Sequence, residues 1–177
     1  LAIVINPIIS YFAFGLLSFM ALREISTISK NVRDVDRRIM IWCYIAIPIQ
    51  FMLAYYGYFN LFVIFIPVVM FIFISFMLVI RGETTEIGRS MSVIPTQLML
   101  TVFSLSHLAF LLSLPPIAGF NAGGRGLLLF VVFITEINDV FQFTWGKLLG
   151  RHAIIPKISP NKTWEGFIGG VLTTTVL

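Results

Sequence analysis

Apolar stretches of about 20 residues, the length of a membrane-spanning helix, alternate with short charged segments along the chain. The stretch from Ile39 to Ile80 carries no charge and is long enough for two helices. Its turn is expected at Tyr55–Asn60, where a glycine lies among tyrosines. The pattern predicts five complete spans and the start of a sixth, at residues 1–22, 39–58, 60–80, 91–114, 127–149 and 160–177.

The composition agrees with lipid as the solvent of this chain. Aliphatic, aromatic, Met and Cys residues form 58% of the 177 residues and charged residues only 11%, whereas a soluble domain carries about 25% charged residues. The mean hydropathy is +0.97. We therefore expect an all-α fold, a polytopic transmembrane helical bundle in which residues 1–177 form a single domain. No nucleic-acid partner is expected.

The basic residues give an independent test of this layout. Eleven of the twelve Lys and Arg residues lie in segments 23–38, 81–90 and 147–162, which five alternating crossings place on one side of the membrane; Arg125 lies on the other. Because cytoplasmic loops carry the excess of Lys and Arg, these segments are expected in the cytoplasm. The protein is expected in the cell membrane as a multi-pass protein, most simply the bacterial inner membrane.

Span five, residues 127–149, carries acids and amides in a sequence that is otherwise apolar. An ionised Asp at the centre of a lipid-facing helix costs about 2.5–3.5 kcal/mol, so we expect Glu136 and Asp139 to face a polar cavity. Paired acids favour a cation site, with Mg²⁺ as the hard cation, or a proton site; a polar seam between helices is the alternative. At 100° per residue, one arc holds Thr135, Asn138, Asp139, Gln142 and Gly146.

The segment before the sixth span resembles the start of a helix that binds phosphate. Ser159 and Pro160 have the pattern of an N-cap followed by proline at the first helical position. Free N–H groups and the helix dipole at such a start attract phosphate. Anchoring of the lysines to anionic lipid headgroups is the alternative. The expected first turn and the loop before it contain Lys157, Lys162 and Thr163.

Two residues between these features receive simpler interpretations. Gly150 follows the last apolar residues of span five and is expected to stop the helix. His152 lies at the membrane edge, and interfacial anchoring explains it.

A helix with carboxylates, joined by a short loop to a helix start that binds anions, suits transfer between phosphates, because metal ions neutralise phosphate oxygens while basic groups hold the rest in place.

Residues 138–170 resemble the phosphatidate cytidylyltransferases, also called CDP-diacylglycerol synthases. Their pattern is D-x-x-x-[YF]-x-x-G-[RK]-x-x-G followed by P-x-[IV]-S-P-x-K-T-x-E-G. The first part is met by Asp139, Phe143, Gly146, Lys147 and Gly150. The second part is met by Pro156, Ser159, Pro160, Lys162, Thr163, Glu165 and Gly166. Gln142 in place of the alanine usual before the aromatic, and the pair Asn138-Asp139, indicate a divergent branch.

The resemblance implies a membrane enzyme that joins CTP and phosphatidate into CDP-diacylglycerol and pyrophosphate with Mg²⁺, and it allows a homodimer. It implies catalytic roles for Asp139, which would also bind the metal, and for Lys162. It implies substrate binding by Asn138, Lys147, Ser159, Thr163 and Glu165. The family's S-x-x-K-R…K-D…H-G-G-x-x-D-R-x-D segment is expected after Leu177, so we expect this chain to be part of a longer protein and to lack part of the active site.

Two other functions are compatible with the sequence. A channel or transporter would use the acids of span five to line an ion path, but it gives Lys162 no role. A lipid-binding or assembly subunit would keep the scaffold without catalysis. Ion flux without nucleotide, or phosphatidate binding without turnover, would distinguish these functions from the enzyme.

The predicted topology can be tested with reporter fusions. A reporter at Gly123 is expected outside the cytoplasm, and a reporter at Lys157 inside it, because an odd number of crossings separates them. Compartment-specific reporter activity measures both positions, and a cytoplasmic reporter at Gly123 would contradict the layout.

Overall fold

The structure is a computed structural model that describes residues 6–28, 34–82, 87–115, 122–157 and 159–177. Within these ranges the chain is helical apart from one short pair of antiparallel strands. The helices are α1 (Pro7–Ile28), α2 (Asp34–Tyr56), α3 (Phe59–Ile80), α4 (Ile87–Ser113), α5 (Gly123–Leu149) and α6 (Trp164–Val176). The strands are β1 (Ala153–Ile155) and β2 (Ser159–Thr163).

Helices α1 to α5 are each long and apolar enough to cross a bilayer, although α2 qualifies only from Arg38 onward. This confirms the predicted all-α, polytopic fold, and the chain is a multi-pass membrane protein. Four helices extend several residues past a predicted bound: α1 continues to Ile28, and α2, α4 and α5 begin earlier, at Asp34, Ile87 and Gly123. Arg23 and Arg125 are therefore helical instead of lying in loops. Arg is a good helix former, and its long side chain can reach the membrane surface from a helix end.

The turn between the second and third spans is shorter than the predicted range. Helix α2 ends at Tyr56 and α3 begins at Phe59, so two residues make the connection. Gly57 has φ of +71°, a left-handed conformation that favours glycine. The amide of Tyr58 donates to the carbonyl of Leu53 over 3.0 Å and closes the turn.

Prolines lie inside three of the spanning helices without ending them. Pro48 is within α2, Pro67 lies in a π-helical segment of α3 (Phe65–Met70), and Pro95 precedes a π-helical segment of α4 (Met99–Phe103). Proline removes one backbone donor and clashes with the carbonyl four residues before it. In α3 and α4 a π-helical segment at or after the proline accommodates this, whereas the α-helix of α2 continues past Pro48.

The residues up to Arg125 form one compact unit, whose core contains a buried amide. The side chain of Gln50 is fully buried, and its Nε2 donates to the Phe62 carbonyl at 3.2 Å and to Ser106 Oγ at 3.1 Å. One side chain thereby links α2, α3 and α4. Inside a bilayer, packing and interhelical hydrogen bonds replace the hydrophobic effect as the force between helices. Ser113 Oγ, which donates to the Ala54 carbonyl over 2.7 Å, adds a second such link.

The residues from Gly126 onward form a second unit, in which α6 packs closely against α5. A Cβ atom built on Gly166 would lie 2.7 Å from the Gln142 carbonyl oxygen and 2.9 Å from Gly146 Cα. A Cβ atom on Gly170 would lie 2.4 Å from Gln142 Cγ. Gly166 and Gly170, which form a G-x-x-x-G pattern, thus allow close packing of α6 on α5. Single-domain organisation of residues 1–177 stays a prediction.

Substituting Gly166 with alanine should destabilise the protein, because the added methyl group has no room between α5 and α6. Overpacking of this kind costs about 1–3 kcal/mol. We expect a lower melting temperature of the full-length protein in detergent.

Gly88→Ala is the matched control, since Gly88 is also helical and a Cβ atom there would meet nothing within 4 Å. Its melting temperature should be unchanged or higher, because alanine favours the helix over glycine. Equal melting temperatures for Gly166→Ala and Gly88→Ala would contradict the close packing.

Candidate active site

All predicted site residues lie in the C-terminal unit. They are carried by three of the four elements between Gly123 and Val176, so a short piece of chain supplies the whole set. The set consists of Asn138, Asp139 and Lys147 on α5, Ser159, Lys162 and Thr163 on β2, and Glu165 on α6.

The predicted start of the last helix was wrong. Helix α6 begins at Trp164 and not at Ser159 or Pro160. Thr163 is its N-cap: the residue is extended (φ −118°, ψ 153°), and its Oγ1 accepts a hydrogen bond from the Gly166 amide at 3.2 Å. Lys162 therefore precedes the helix and does not lie in its first turn.

The segment before the helix is a β-hairpin because of its two prolines. Ile155 and Ser159 each precede a proline, and the residue before proline is pushed out of the helical region into an extended conformation. These two residues are partners in the antiparallel pair, and Ala153 pairs with Thr163. The register shifts between the two pairs. Pro160, which was predicted to take the first position of the helix, instead lies in β2.

Glu165 fastens this hairpin to the first turn of α6. Its Oε2 accepts hydrogen bonds from the backbone amides of Arg151 at 3.1 Å and His152 at 3.2 Å. Its Oε1 lies 2.5 Å from His152 Nδ1. The amide of Trp164 donates back to the His152 carbonyl over 2.9 Å. Four hydrogen bonds therefore join the segment that enters β1 to the start of α6.

These contacts keep the carboxylate of Glu165 charged. The hydrogen bond from His152, followed by those from the backbone amides of Glu165, Arg151 and His152, lowers the pKa of Glu165 from 4.5 to about 2. An ionised carboxylate can only accept hydrogen bonds, so Nδ1 of His152 carries the proton in this pair. The positive end of the α6 dipole favours the same ionised state.

The interpretation of His152 as an interfacial anchor missed this pair. The two residues lie 13 positions apart, on either side of the segment that contains both prolines. Two X-Pro steps a few residues apart, between a basic and an acidic residue, were the signal for a hairpin closed by an ion pair. The helix-start pattern at Ser159 favoured a helix over this hairpin.

Gly150 ends α5 as predicted, but for a different reason. Helix α5 stops at Leu149, and the Gly150 amide still donates to the Gly146 carbonyl at 3.1 Å. Gly150 is not among the described glycines with positive φ. A Cβ atom here would lie 2.2 Å from the Gly146 carbonyl oxygen and 2.8 Å from Thr163 Oγ1. Close approach of the hairpin, rather than a left-handed turn, requires glycine at this position.

Three motif residues follow one another along a single ridge of α5. Asp139, Phe143 and Lys147 are spaced four residues apart, so their side chains are neighbours on the helix surface. The Nζ atom of Lys147 lies 4.5 Å from the centre of the Phe143 ring, a cation–π contact. Asp139, Phe143 and Lys147 are all exposed. The ridge therefore presents a carboxylate, an aromatic ring and an ammonium group in sequence.

The polar arc predicted on α5 is divided between two environments. Asn138 Oδ1 accepts a hydrogen bond from Thr174 Oγ1 at 3.3 Å, and Gln142 and Gly146 lie against glycines of α6. This part of the arc is a polar seam between helices, the alternative interpretation. Asp139 lies outside the seam, with its carboxylate exposed.

The hairpin carries basic side chains that are open to ligands. Arg151, Lys157 and Lys162 are exposed, whereas Ser159 and Thr163 are partly buried. Within the ranges that the structure describes, no hydrogen bond or ion pair joins Asp139 to the hairpin. The unit thus has two exposed acids on α5, Glu136 and Asp139, and a separate group of cations on the hairpin.

The residues are compatible with a magnesium ion that is shared with a substrate. Among the described residues no three His, Cys, Asp or Glu side chains form a cluster that could hold a metal by themselves. Mg²⁺ is usually bound through one or two carboxylates, with water and substrate phosphates as its other ligands. The exposed carboxylate of Asp139 suits this arrangement.

A sequence model of the cytidylyltransferase family matches residues 1–177, the whole chain. The chain belongs to this family. The predicted resemblance to phosphatidate cytidylyltransferases is confirmed by relatives of that name. No solved structure matches the chain.

Three relatives show how far the similarity of this cytidylyltransferase-family chain extends. The uncharacterized protein YnbB of Escherichia coli is 38% identical over 163 residues, which is 92% of this chain and 52% of YnbB. A phosphatidate cytidylyltransferase of Mycobacterium leprae is 34% identical over 44% of this chain and 26% of its own length. One from Aquifex aeolicus is 56% identical over 45 residues, 25% of this chain and 17% of its own. The chain spans about half the length of YnbB, and its match covers a smaller share of the two phosphatidate cytidylyltransferases.

Glu165 should make the stability of the protein depend on pH in the acid range. Its pKa is lower in the folded protein, about 2, than its ordinary value of 4.5. The ionised carboxylate therefore stabilises the fold fully above about pH 4.5, and this stabilisation is lost as the pH falls toward 2. The difference in melting temperature between the wild type and Glu165→Gln should shrink over that range.

Glu24→Gln is the control, since Glu24 is an exposed acid of α1 whose carboxylate has no such contacts. At pH 7 the melting temperature of Glu24→Gln should differ less from that of the wild type than the melting temperature of Glu165→Gln does. If the melting temperatures of the wild type and Glu165→Gln differ by the same amount at pH 6 and at pH 3, the role of the ionised carboxylate is contradicted.

Proposed function

We propose that the full-length protein transfers the cytidylyl group of CTP to phosphatidate and forms CDP-diacylglycerol and pyrophosphate. Membership of the cytidylyltransferase family and the names of the relatives support the reaction class and the lipid substrate. One structural observation carries the proposal: a single compact unit has an exposed carboxylate on a helix long enough to span the membrane and a hairpin with exposed lysines.

The reaction needs no covalent enzyme intermediate. An oxygen of the phosphatidate phosphate attacks the α-phosphorus of CTP, and a new P–O bond forms. The bond from the α-phosphorus to the oxygen that bridges to the β-phosphorus breaks, and pyrophosphate leaves with the electron pair. The protein has to position two anions against each other and balance their charge.

The basic residues of the hairpin are suited to hold the phosphates. In our proposal Lys162 contacts the reacting phosphates, and Ser159 and Lys147 bind the nucleotide. Asp139 holds Mg²⁺, and a bound Mg²⁺ supplies neutralisation of phosphate oxygen charge. The contact with the Phe143 ring directs Lys147 along α5. This contact restricts the positions that the ammonium group samples.

The remaining predicted residues contribute through the protein framework. Thr163 caps α6, and Asn138 accepts a hydrogen bond from Thr174. Direct substrate contacts by Asn138 or Thr163 stay predictions, whereas the hydrogen bonds of Glu165 favour a role in holding the hairpin. The cytoplasmic side for the hairpin, the bacterial inner membrane and a homodimer also belong to this proposal.

Asp139→Asn and Lys162→Ala should each abolish most of the activity of the full-length protein. Loss of one group that stabilises developing charge typically lowers the rate by about 100-fold or more. Formation of labelled CDP-diacylglycerol from labelled CTP and phosphatidate in detergent micelles measures the effect. Chelation of divalent cations should stop turnover, and added Mg²⁺ should restore it.

The controls are Glu24→Gln for the acid and Arg125→Ala for the base, both exposed residues outside the C-terminal unit. Both should keep wild-type turnover. Undiminished turnover in Asp139→Asn would overturn the role of Asp139. Phosphatidate binding with no CTP turnover in the wild type would instead favour a lipid-binding subunit, and ion flux without nucleotide would favour a channel.

A further inference from the structure

We infer that Glu165 is a positioning residue: it holds the β-hairpin in place through the backbone of Arg151 and His152, and so fixes Lys162 and Ser159, without contacting the substrate. This inference rests on the proposed function for its effect on catalysis. The clamp itself, defined here as Glu165 with the amides of Arg151 and His152 and the His152 ring, is a structural arrangement that can be measured separately.

The hydrogen bonds of Glu165 leave its carboxylate little capacity for a substrate. Both carboxylate oxygens are engaged, Oε2 by two backbone amides and Oε1 by the His152 ring. The carboxylate is also negative, so direct contact with the phosphates of CTP or phosphatidate would be repulsive. The side chain of Glu165 is 26% exposed, whereas that of His152 is 76% exposed. Glu165 is thus the inner member of the pair, and it faces the protein backbone.

The clamp acts where the hairpin has few other attachments to α6. Strand β2 is joined to α6 directly through Thr163, but β1 is joined to it through Glu165 and through the Trp164–His152 backbone hydrogen bond. The hairpin has only two paired positions in its ladder, and an isolated two-stranded hairpin is marginally stable in water. Removing the clamp should therefore free the entry to β1 and, through the ladder, Ser159 and Lys162.

A positioning role and a substrate contact predict different kinetics. If a freed hairpin presents Lys162 correctly for only a fraction of the time, the apparent affinity for CTP falls by that fraction. Glu165→Ala should raise the KM for CTP about 10- to 100-fold, since small misplacements of a binding group have effects of that size. Glu165→Gln keeps an oxygen that can accept from the backbone amides but loses the carboxylate oxygen that bonds to His152 Nδ1, so its effect should be intermediate.

The decisive measurement combines a double-variant cycle with hydrogen exchange on the full-length protein. Glu165→Gln and His152→Ala remove the same interaction, so the double variant should be no worse than the more impaired single variant, within about twofold. Exchange of the backbone amides in residues 151–155 should become about tenfold faster or more in Glu165→Ala, because two of these amides lose their acceptor. Glu24→Ala should change neither the KM nor this exchange.

Three results would overturn the inference. The first is unchanged exchange of residues 151–155 in Glu165→Ala. The second is a double variant whose loss is the product of the two single losses, which indicates independent roles. The third is equal impairment in Glu165→Gln and Glu165→Ala with wild-type kinetics in His152→Ala, as expected for a substrate contact. Absence of CTP turnover in the wild type would overturn the proposed function and the catalytic role together, while the exchange result would still decide whether the clamp exists.

Discussion

The backbone contact between α5 and α6 is the constraint on which the C-terminal unit depends. Helices approach this closely only where side chains are absent, and Gly146 and Gly166 provide such a point. The same contact brings Thr163 against Gly150, so the cap of α6 lies at the end of α5. The connection between the helices must then double back over a short distance, and a hairpin held by Glu165 meets that requirement.

Both units hold amide side chains in hydrogen bonds between helices. In the N-terminal unit, Nε2 of the buried Gln50 donates to two neighbouring helices, and in the C-terminal unit Asn138 accepts a hydrogen bond from Thr174. An amide facing lipid would lose such bonds. The acids of α5, Glu136 and Asp139, are exposed instead. An acid left open in a span is costly, and such residues mark ligand and ion sites in membrane proteins. This cost is the physical ground for giving Asp139 a role in the proposed reaction.

The motif shared with the family separates into residues for chemistry and residues for architecture. Gly146, Gly150 and Gly166 allow close approach, and Thr163 and Glu165 fix the hairpin to α6. Asp139, Lys147 and Lys162 keep exposed charged groups. A short motif can thus contain more structural than chemical positions, because the phosphate site that we propose would work only if its lysines are held in place.

The sequence by itself determined the membrane class, the number of complete spans and the region that carries the site. Hydropathy is a local property summed over about 20 residues, so spans could be predicted from composition alone. The sequence also indicated Asp139 and Lys162, since charges in an apolar chain are conspicuous. Only the tertiary structure decided that Ser159 starts a strand, that Gly150 is needed for space, and that Glu165 bonds to His152. Each of these depends on a partner distant in the sequence, and local helix-start signals at Ser159 and Pro160 competed with the hairpin and favoured the wrong element.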